Sequence, residues 1–288
     1  MKKADRSALF VLPILICLGL MIAFAGSQGG TSVAGVPLFA LLVAFTFLVQ
    51  WIAFIPAFIL QTEKYFDLTG SVTYITIVTL AVILSGNLDG RSILIWILIV
   101  IWAIRLGTFL FSRIQKSGKD DRFDELKPSF IRFLNVWSIQ GLWVTFTSTA
   151  ALVGITSTIR KELDIFALLG FLIWILGFVI EVIADTQKLR FKAVKKNQGQ
   201  FIHTGLWARS RHPNYLGEIL LWCGIAIIIL PILNGWQWIA LFSPVFVTFL
   251  LTKVSGIPLL EKKADKKWGG QKDYEDYKKR TPILIPRF

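Results

Sequence analysis

The chain has 288 residues, of which 55% are hydrophobic and 17% charged, and it carries a formal net charge of +13. That balance excludes an ordinary soluble globule and defines a polytopic membrane protein. In a soluble chain the charge would point to nucleic acid; here it follows the loops between apolar runs, so no nucleic-acid partner is expected.

A bilayer core about 30 Å thick takes roughly 20 apolar residues per helix. Such runs lie near 8–26, 36–60, 70–86, 92–112, 131–153, 164–184, 214–233 and 236–258. The third is short and the fifth is polar in its middle. The expected fold class is all-α, a polytopic bundle of about eight transmembrane helices. The first run has a basic lead and an Ala23-Phe24-Ala25 sequence that resembles a cleavage site. Its length favours an uncleaved helix; cleavage would leave seven helices with the same sidedness. No soluble domain of ordinary size remains between the spans, and no internal repeat is visible. Residues 1–288 therefore read as a single integral membrane domain.

Basic residues sort by loop. With the N-terminus inside, that side holds Lys2, Lys3 and Arg6, then Lys64, then Arg113, Lys116, Lys119, Arg122 and Lys127. It also holds Lys188, Arg190, Lys192, Lys195, Lys196, Arg209 and Arg211, and most of the tail after Glu261. The opposite loops hold only Arg91, Arg160 and Lys161. Both termini are therefore expected in the cytosol, with anionic lipid head groups as further partners. Cys17 and Cys223 fall within spans and make no disulfide framework. His203 and His212, without cysteines nearby, make no metal site.

Polar groups inside spans are costly in lipid and need a partner or a function. Arg105 sits about two turns inside the fourth span; Asn135 and Gln140 enter the fifth; Glu181 and Asp185 share a face of the sixth; Asn214 and Glu218 share a face of the seventh. All reach a similar depth on the cytosolic side. They would either hold helices together as ion pairs or line one polar pocket. The stretch "RSRHPNYLGEILLW", 209–222, is the densest of these signals. Pro213 suits the first position of a helix, and the backbone donors of residues 214–216 would then open toward the cytosol as an anion site. Arg209, Arg211 and His212 add charge, and Gly217 would clear space for a close approach. Glu218, one turn deeper, suits an amide, a ribose hydroxyl or a cation. Trp207 and Tyr215 read either as interfacial rings or as walls of the same pocket.

"GLWARSRHPNYLGEILLWCGI", "IPLLEKK" and "YEDYKKRTPILIP" resemble the C-terminal membrane module of the steroid 5-alpha-reductase-like superfamily, and "YFDLTGS" and "RFDEL" resemble its bacterial branch. The resemblance runs from about residue 60 to the end. It implies a cofactor module over about 164–288, a cofactor site facing the cytosol, and a bacterial inner membrane if the branch holds. In the reductases of this superfamily the pocket takes NADPH; the matching positions are Asp185, Lys188, Lys192, Asn214, Tyr215 and Glu218, with Arg105 matching an arginine on a middle helix. Isoprenylcysteine and phospholipid methyltransferases share the module and use S-adenosylmethionine. Electrostatics favour NADPH, whose phosphates need donors such as Arg105, Arg113, Lys188, Lys192, Arg209, Arg211 and His212.

The expected activity is reduction of an activated C=C bond in a lipid-soluble, steroid- or isoprenoid-like substrate. In the steroid reductases a tyrosine shortly before the middle-helix arginine polarises the ketone; here that position is Trp102, which donates a hydrogen bond but does not readily deliver a proton. Glu63, Tyr65 and Asp67 are the alternative acids, unless they only form a capped loop. A methyltransferase and a non-catalytic scaffold or transporter are the rival readings. A transporter would place charge near mid-bilayer, whereas here it gathers at the cytosolic edge.

Overall fold

The computed structural model describes residues 3–86 and 88–286. Lys2 lies outside them, as does the side chain of Lys3. The elements are α1 (Lys3–Ser27), a short hairpin of β1 (Ser32–Val33) and β2 (Val36–Pro37), α2 (Leu38–Ile59), α3 (Phe66–Leu84), α4 (Gly90–Ser117), α5 (Phe130–Thr156), α6 (Ile165–Ala193), α7 (Pro213–Ile229), α8 (Phe242–Phe249), α9 (Ile257–Trp268) and α10 (Lys272–Arg280). Among the described residues, 8 helical segments are long and apolar enough to cross a membrane. The all-α bundle is therefore as expected.

Several helices outrun their expected outlines, the sixth reaching Ala193 rather than 184, and two spans differ in form. The third begins at Phe66 rather than 70, because Asp67 and Thr69 lower its hydropathy while the helix already runs through them. A carboxylate in a first turn favours the helix dipole. The eighth, Gly235–Trp268, is broken into a tight turn, α8, a π-helical turn at Leu250–Val254 and, after Gly256, α9.

The chain forms two compact units. The first comprises Met1–Ala167 and Ile228–Ser243. Its centre is α5, packed by α1, α2, α3 and α4. This position explains the polar middle of that span. The hydroxyls of Thr145, Ser148, Thr149 and Thr156 are buried and bond back to carbonyls four residues earlier, at 2.6–2.9 Å. An α5 surrounded by protein tolerates such groups because each is satisfied within its own helix. At one end of this unit two of the three expected outer-loop cations, Arg91 and Arg160, are paired. Arg91, only 1% exposed, donates to the carbonyls of Ile228 and Glu162 and pairs with Asp164 at 3.2 Å. Arg160 pairs with Asp89 at 2.9 Å, and Asp89 also caps α4.

The second unit comprises Leu168–Ile227 and Pro244–Phe288. Its α6 and α7 cross backbone against backbone. A Cβ on Gly177 would lie 2.5 Å from the Gly217 carbonyl oxygen, one on Gly217 2.5 Å from the Gly177 carbonyl oxygen, and one on Gly224 2.6 Å from the Gly170 carbonyl oxygen. Small residues at such a seam are how helices gain contact in lipid, where no hydrophobic drive joins them. The expected role of Gly217 is thereby corrected: the group that approaches it is α6. Behind this seam, Phe201 packs on Tyr274 and Tyr277 of α10, both at 5.3 Å between centroids.

Candidate functional site

In the second unit the loop before α7 is fixed from three sides. Trp207, 3% exposed, donates from its indole to the Ala184 carbonyl at 3.0 Å and accepts at its own carbonyl from the Tyr277 hydroxyl at 2.7 Å. One turn beyond Ala184, the Lys188 ammonium lies 4.4 Å from the centre of the Trp207 ring, a cation–π contact. Burial pushes the Tyr277 hydroxyl above its ordinary pKa, so it stays a donor. The Ser210 hydroxyl donates to the Leu284 carbonyl at 2.7 Å, and the Arg211 N–H to the Pro282 carbonyl at 2.9 Å. The C-terminal tail thus runs along the loop that carries Arg211 and His212.

A residue absent from the expected set organises this loop. Glu261 of α9 accepts from Arg211 Nη1 at one oxygen and from His212 Nε2 at the other, the latter at 2.8 Å. The His212 ring is 4% exposed and stacks on Tyr215 with an interplanar angle of 8°. Burial holds the imidazole below its ordinary pKa; Lys188 and Arg211 push the same way and Glu261 opposes them. A neutral ring in this contact carries its proton on Nε2, facing the carboxylate. Nδ1 is then a buried lone pair, and among the described residues it has no hydrogen-bond partner; nor do Asn214 Oδ1 and Arg211 Nε.

Two expectations for this stretch change. The first turn of α7 is not an open row of donors, because the N–H groups of Tyr215 and Leu216 both point at the His212 carbonyl, at 3.2 and 3.3 Å. Arg211 and His212 are both engaged by one carboxylate, Glu261, which offsets part of the charge they would present to a phosphate. Glu261 lies 49 residues beyond His212, so no local pattern could reveal the pairing; the available signal was an acid, one of two with Asp265, among the lysines of α9.

The remaining expected cofactor residues fall as follows. Asp185 is buried on α6 and Glu218 half-buried on α7, while Lys192 and Arg209 are exposed. Arg105 and Arg113 belong to α4 in the first unit: the Arg105 guanidinium lies 5.2 Å from the Phe109 ring centre, and Arg113 pairs with Asp67 at 3.5 Å.

The expected acids also belong to the first unit. Glu63, 5% exposed, accepts from the Asp120 N–H at 2.8 Å and from Lys127 Nζ at 2.7 Å, and so staples the loop before α3 to the loop before α5. Although burial alone would lower it, bonding to Glu63 and Asp124 holds the Lys127 ammonium above its ordinary pKa. Its contribution is complete below the unfolded lysine value of about 10.4 and fades as pH rises through the folded one. Glu63→Gln should cost about 3 kcal/mol at neutral pH, read as a lower melting temperature in detergent. The loss should shrink in a Lys127→Gln background, where no half-buried ammonium is left with Asp124 as its remaining partner.

Tyr65 is exposed and stacked on Phe111 at 6.2 Å. Asp67, Ser71 and Tyr74 share the α3 face that meets α4: Asp67 on Arg113, Ser71 where a Cβ on Gly107 would lie 2.7 Å away, and Tyr74 edge-on to Trp102 at 5.1 Å. Tyr74 was hidden within an apolar run; only its helical spacing from Asp67 marks it.

Among the described residues no cluster of three or more His, Cys, Asp or Glu side chains could hold a metal ion.

These features define a multi-pass α-helical membrane protein with a polar cluster at the start of one helix. Residues 53–281 match a family described as "Protein of unknown function (DUF1295)", and the chain belongs to that family. Over 119 residues it is 31% identical to 3-oxo-5-alpha-steroid 4-dehydrogenase 1 of Rattus norvegicus, a match covering 41% of this chain and 40% of that protein. Together they bear out the resemblance to the steroid 5-alpha-reductase-like superfamily. No solved structure matches the chain.

Proposed function

We propose that the protein is an NADPH-dependent membrane reductase acting on an activated C=C bond of a lipid-soluble, steroid- or isoprenoid-like substrate. The observation that carries this reading is the set of buried, unpartnered polar atoms at the start of α7, on Arg211, His212 and Asn214. Buried polar groups without partners are costly, and a polar cofactor would satisfy them. The similarity to a protein named for steroid oxidoreduction supplies the reaction class.

The residues fit such a cofactor. Lys188, Lys192 and Arg209 are cations outside the Glu261 cluster and suit phosphates. Asp185 and Glu218 suit hydroxyl donors, and Trp207 and Tyr215 offer aromatic walls. When bound, NADPH supplies the hydride; the chain must orient the substrate and deliver a proton to it. For that step the α3–α4 seam offers Tyr74 and Asp67, with Tyr65 at its cytosolic end. The excess of basic residues in alternate loops supports a cytosolic placement of the start of α7, on the side where NADPH is available.

Titrating the detergent-purified protein separately with NADPH and S-adenosylmethionine tests the reading. NADPH is expected to bind, and Asn214→Ala and Glu218→Ala to weaken it at least about tenfold each. Binding of S-adenosylmethionine alone would make the protein a methyltransferase, and binding of neither would favour a scaffold.

A further inference from the structure

The two faces of α9 differ in chemistry. At about 3.6 residues per turn, Leu259, Lys262, Lys263, Lys266 and Lys267 lie on one side of the helix, and all of them are exposed. Ile257, Glu261, Ala264 and Trp268 lie on the other, buried or half-buried. Both acids of the helix are engaged elsewhere. Glu261 accepts from Arg211 and His212, and Asp265 accepts from the Tyr274 hydroxyl and the Lys278 ammonium of α10, at 2.8 and 2.7 Å. No carboxylate among the described residues pairs with any of these outward lysines. Like charges four residues apart destabilise a helix. A face with Lys262 over Lys266 and Lys263 over Lys267 therefore costs α9 stability unless an anion covers it.

The helix stands where lipid anions are. The last span ends in the π-helical turn at Leu250–Val254, and the helical path breaks at Gly256, where ψ is −92° against about −42° in a helix. Pro258, in the first turn, suits a fresh helix start. The new helix keeps to the bilayer edge. Its second turn places Glu261 on Arg211 and His212, immediately before Pro213, where the seventh span begins. Lys262 and Lys263 therefore stand at the level of that edge. Lys266 and Lys267 lie at most about 6 Å further, at roughly 1.5 Å per residue, within the Debye length of about 8 Å at physiological salt. Leu259, 47% exposed in the same face, suits the acyl boundary beneath the head groups and is out of place against a soluble acidic partner. We propose that the lysine face of α9 seats on anionic phospholipid, and that this seating holds Glu261 against the start of α7. The proposal does not depend on the reductase reading; it makes the geometry of the candidate site respond to the surrounding lipid.

The test titrates the protein in neutral detergent with phosphatidylglycerol and, separately, with phosphatidylcholine, and measures bound lipid by native mass spectrometry. The wild type is expected to hold phosphatidylglycerol at least about tenfold more tightly. That preference should fall at least about fivefold when Lys262, Lys263, Lys266 and Lys267 are all changed to Gln, and persist when all are changed to Arg. Lys272→Gln with Lys279→Gln, which removes charge from α10, should leave it intact. In detergent without anionic lipid the glutamine variant should melt no lower than the wild type, because its repulsion between successive turns is gone. The link to α7 is read in nanodiscs without cofactor. Hydrogen exchange at the Tyr215 and Leu216 amides, which point at the His212 carbonyl, should slow at least about threefold when phosphatidylglycerol replaces phosphatidylcholine. The glutamine variant should lose this response. Equal preference in the wild type and the glutamine variant overturns the proposal, as does its loss in the α10 control. A wild type with no preference overturns it too and leaves the face to an acidic protein. Lipid preference without the exchange response overturns the link to α7.

Discussion

Tyr74→Phe should lower turnover of an enone substrate about 100-fold or more, with NADPH affinity and melting temperature little changed. Hydride addition to a conjugated C=C bond leaves negative charge on the carbonyl oxygen, and a donor fixed in a dry site is worth most there. In the superfamily that donor is a tyrosine shortly before the middle-helix arginine, and at the matching position this chain has Trp102. The structure sets Tyr74 of α3, 6% exposed, edge-on against Trp102 with the rings at 82°. On the proposed reading, the donor phenol stands on the helix facing α4, one ring from Trp102. Stopped-flow oxidation of NADPH with an enone measures the step directly. If Tyr74→Phe turns over at the wild-type rate while Asp67→Asn or Tyr65→Phe fails, the donor lies at the Asp67 end of the seam and not beside Trp102.

Most of the bundle was readable because membrane insertion imposes a one-dimensional rule: length of apolar run, then charge between runs. What that rule misses follows from its blindness to surroundings. It cannot separate a helix in lipid from one wrapped by protein, so the hydroxyls of α5 looked like a defect when they mark the centre of the first unit. It averages over a window, so the start of α3 at Phe66 and the break of the last span around Gly256 were smoothed away.

The candidate site divides in the same way. Arg211, His212 and Asn214 were found because their types are unusual at a membrane edge. Their roles were not, because a role depends on the partner. With Glu261 across from them, one carboxylate engages both of the side chains that read as free cations. Glu63 shows the converse. An acid at the mouth of a span suggested chemistry, yet both its oxygens are engaged in tying two loops together.

Gly217→Leu should destabilise the protein by about 3 kcal/mol or more, and NADPH binding should fail with it. A Cβ at 217 would stand 2.5 Å from the Gly177 carbonyl oxygen, 2.7 Å from the Glu181 nitrogen and 2.9 Å from the Glu181 Cβ. The first two are backbone atoms of α6 and cannot rotate away, so the helices must separate. Separation forfeits dispersion contacts along the seam, and lipid offers no hydrophobic gain to offset them. Because α7 begins at Pro213, only a turn from Gly217, the shift also disturbs the geometry that His212 and Asn214 present. Thermal melting in detergent without ligand decides between this account and the one the sequence first suggested. If Gly217 merely cleared room for a ligand, the unliganded variant would melt like the wild type and only its NADPH affinity would fall. If the seam is what the glycine serves, melting falls first, and Gly177→Leu on the facing helix, whose Cβ would stand 2.5 Å from the Gly217 carbonyl oxygen, shows the same loss.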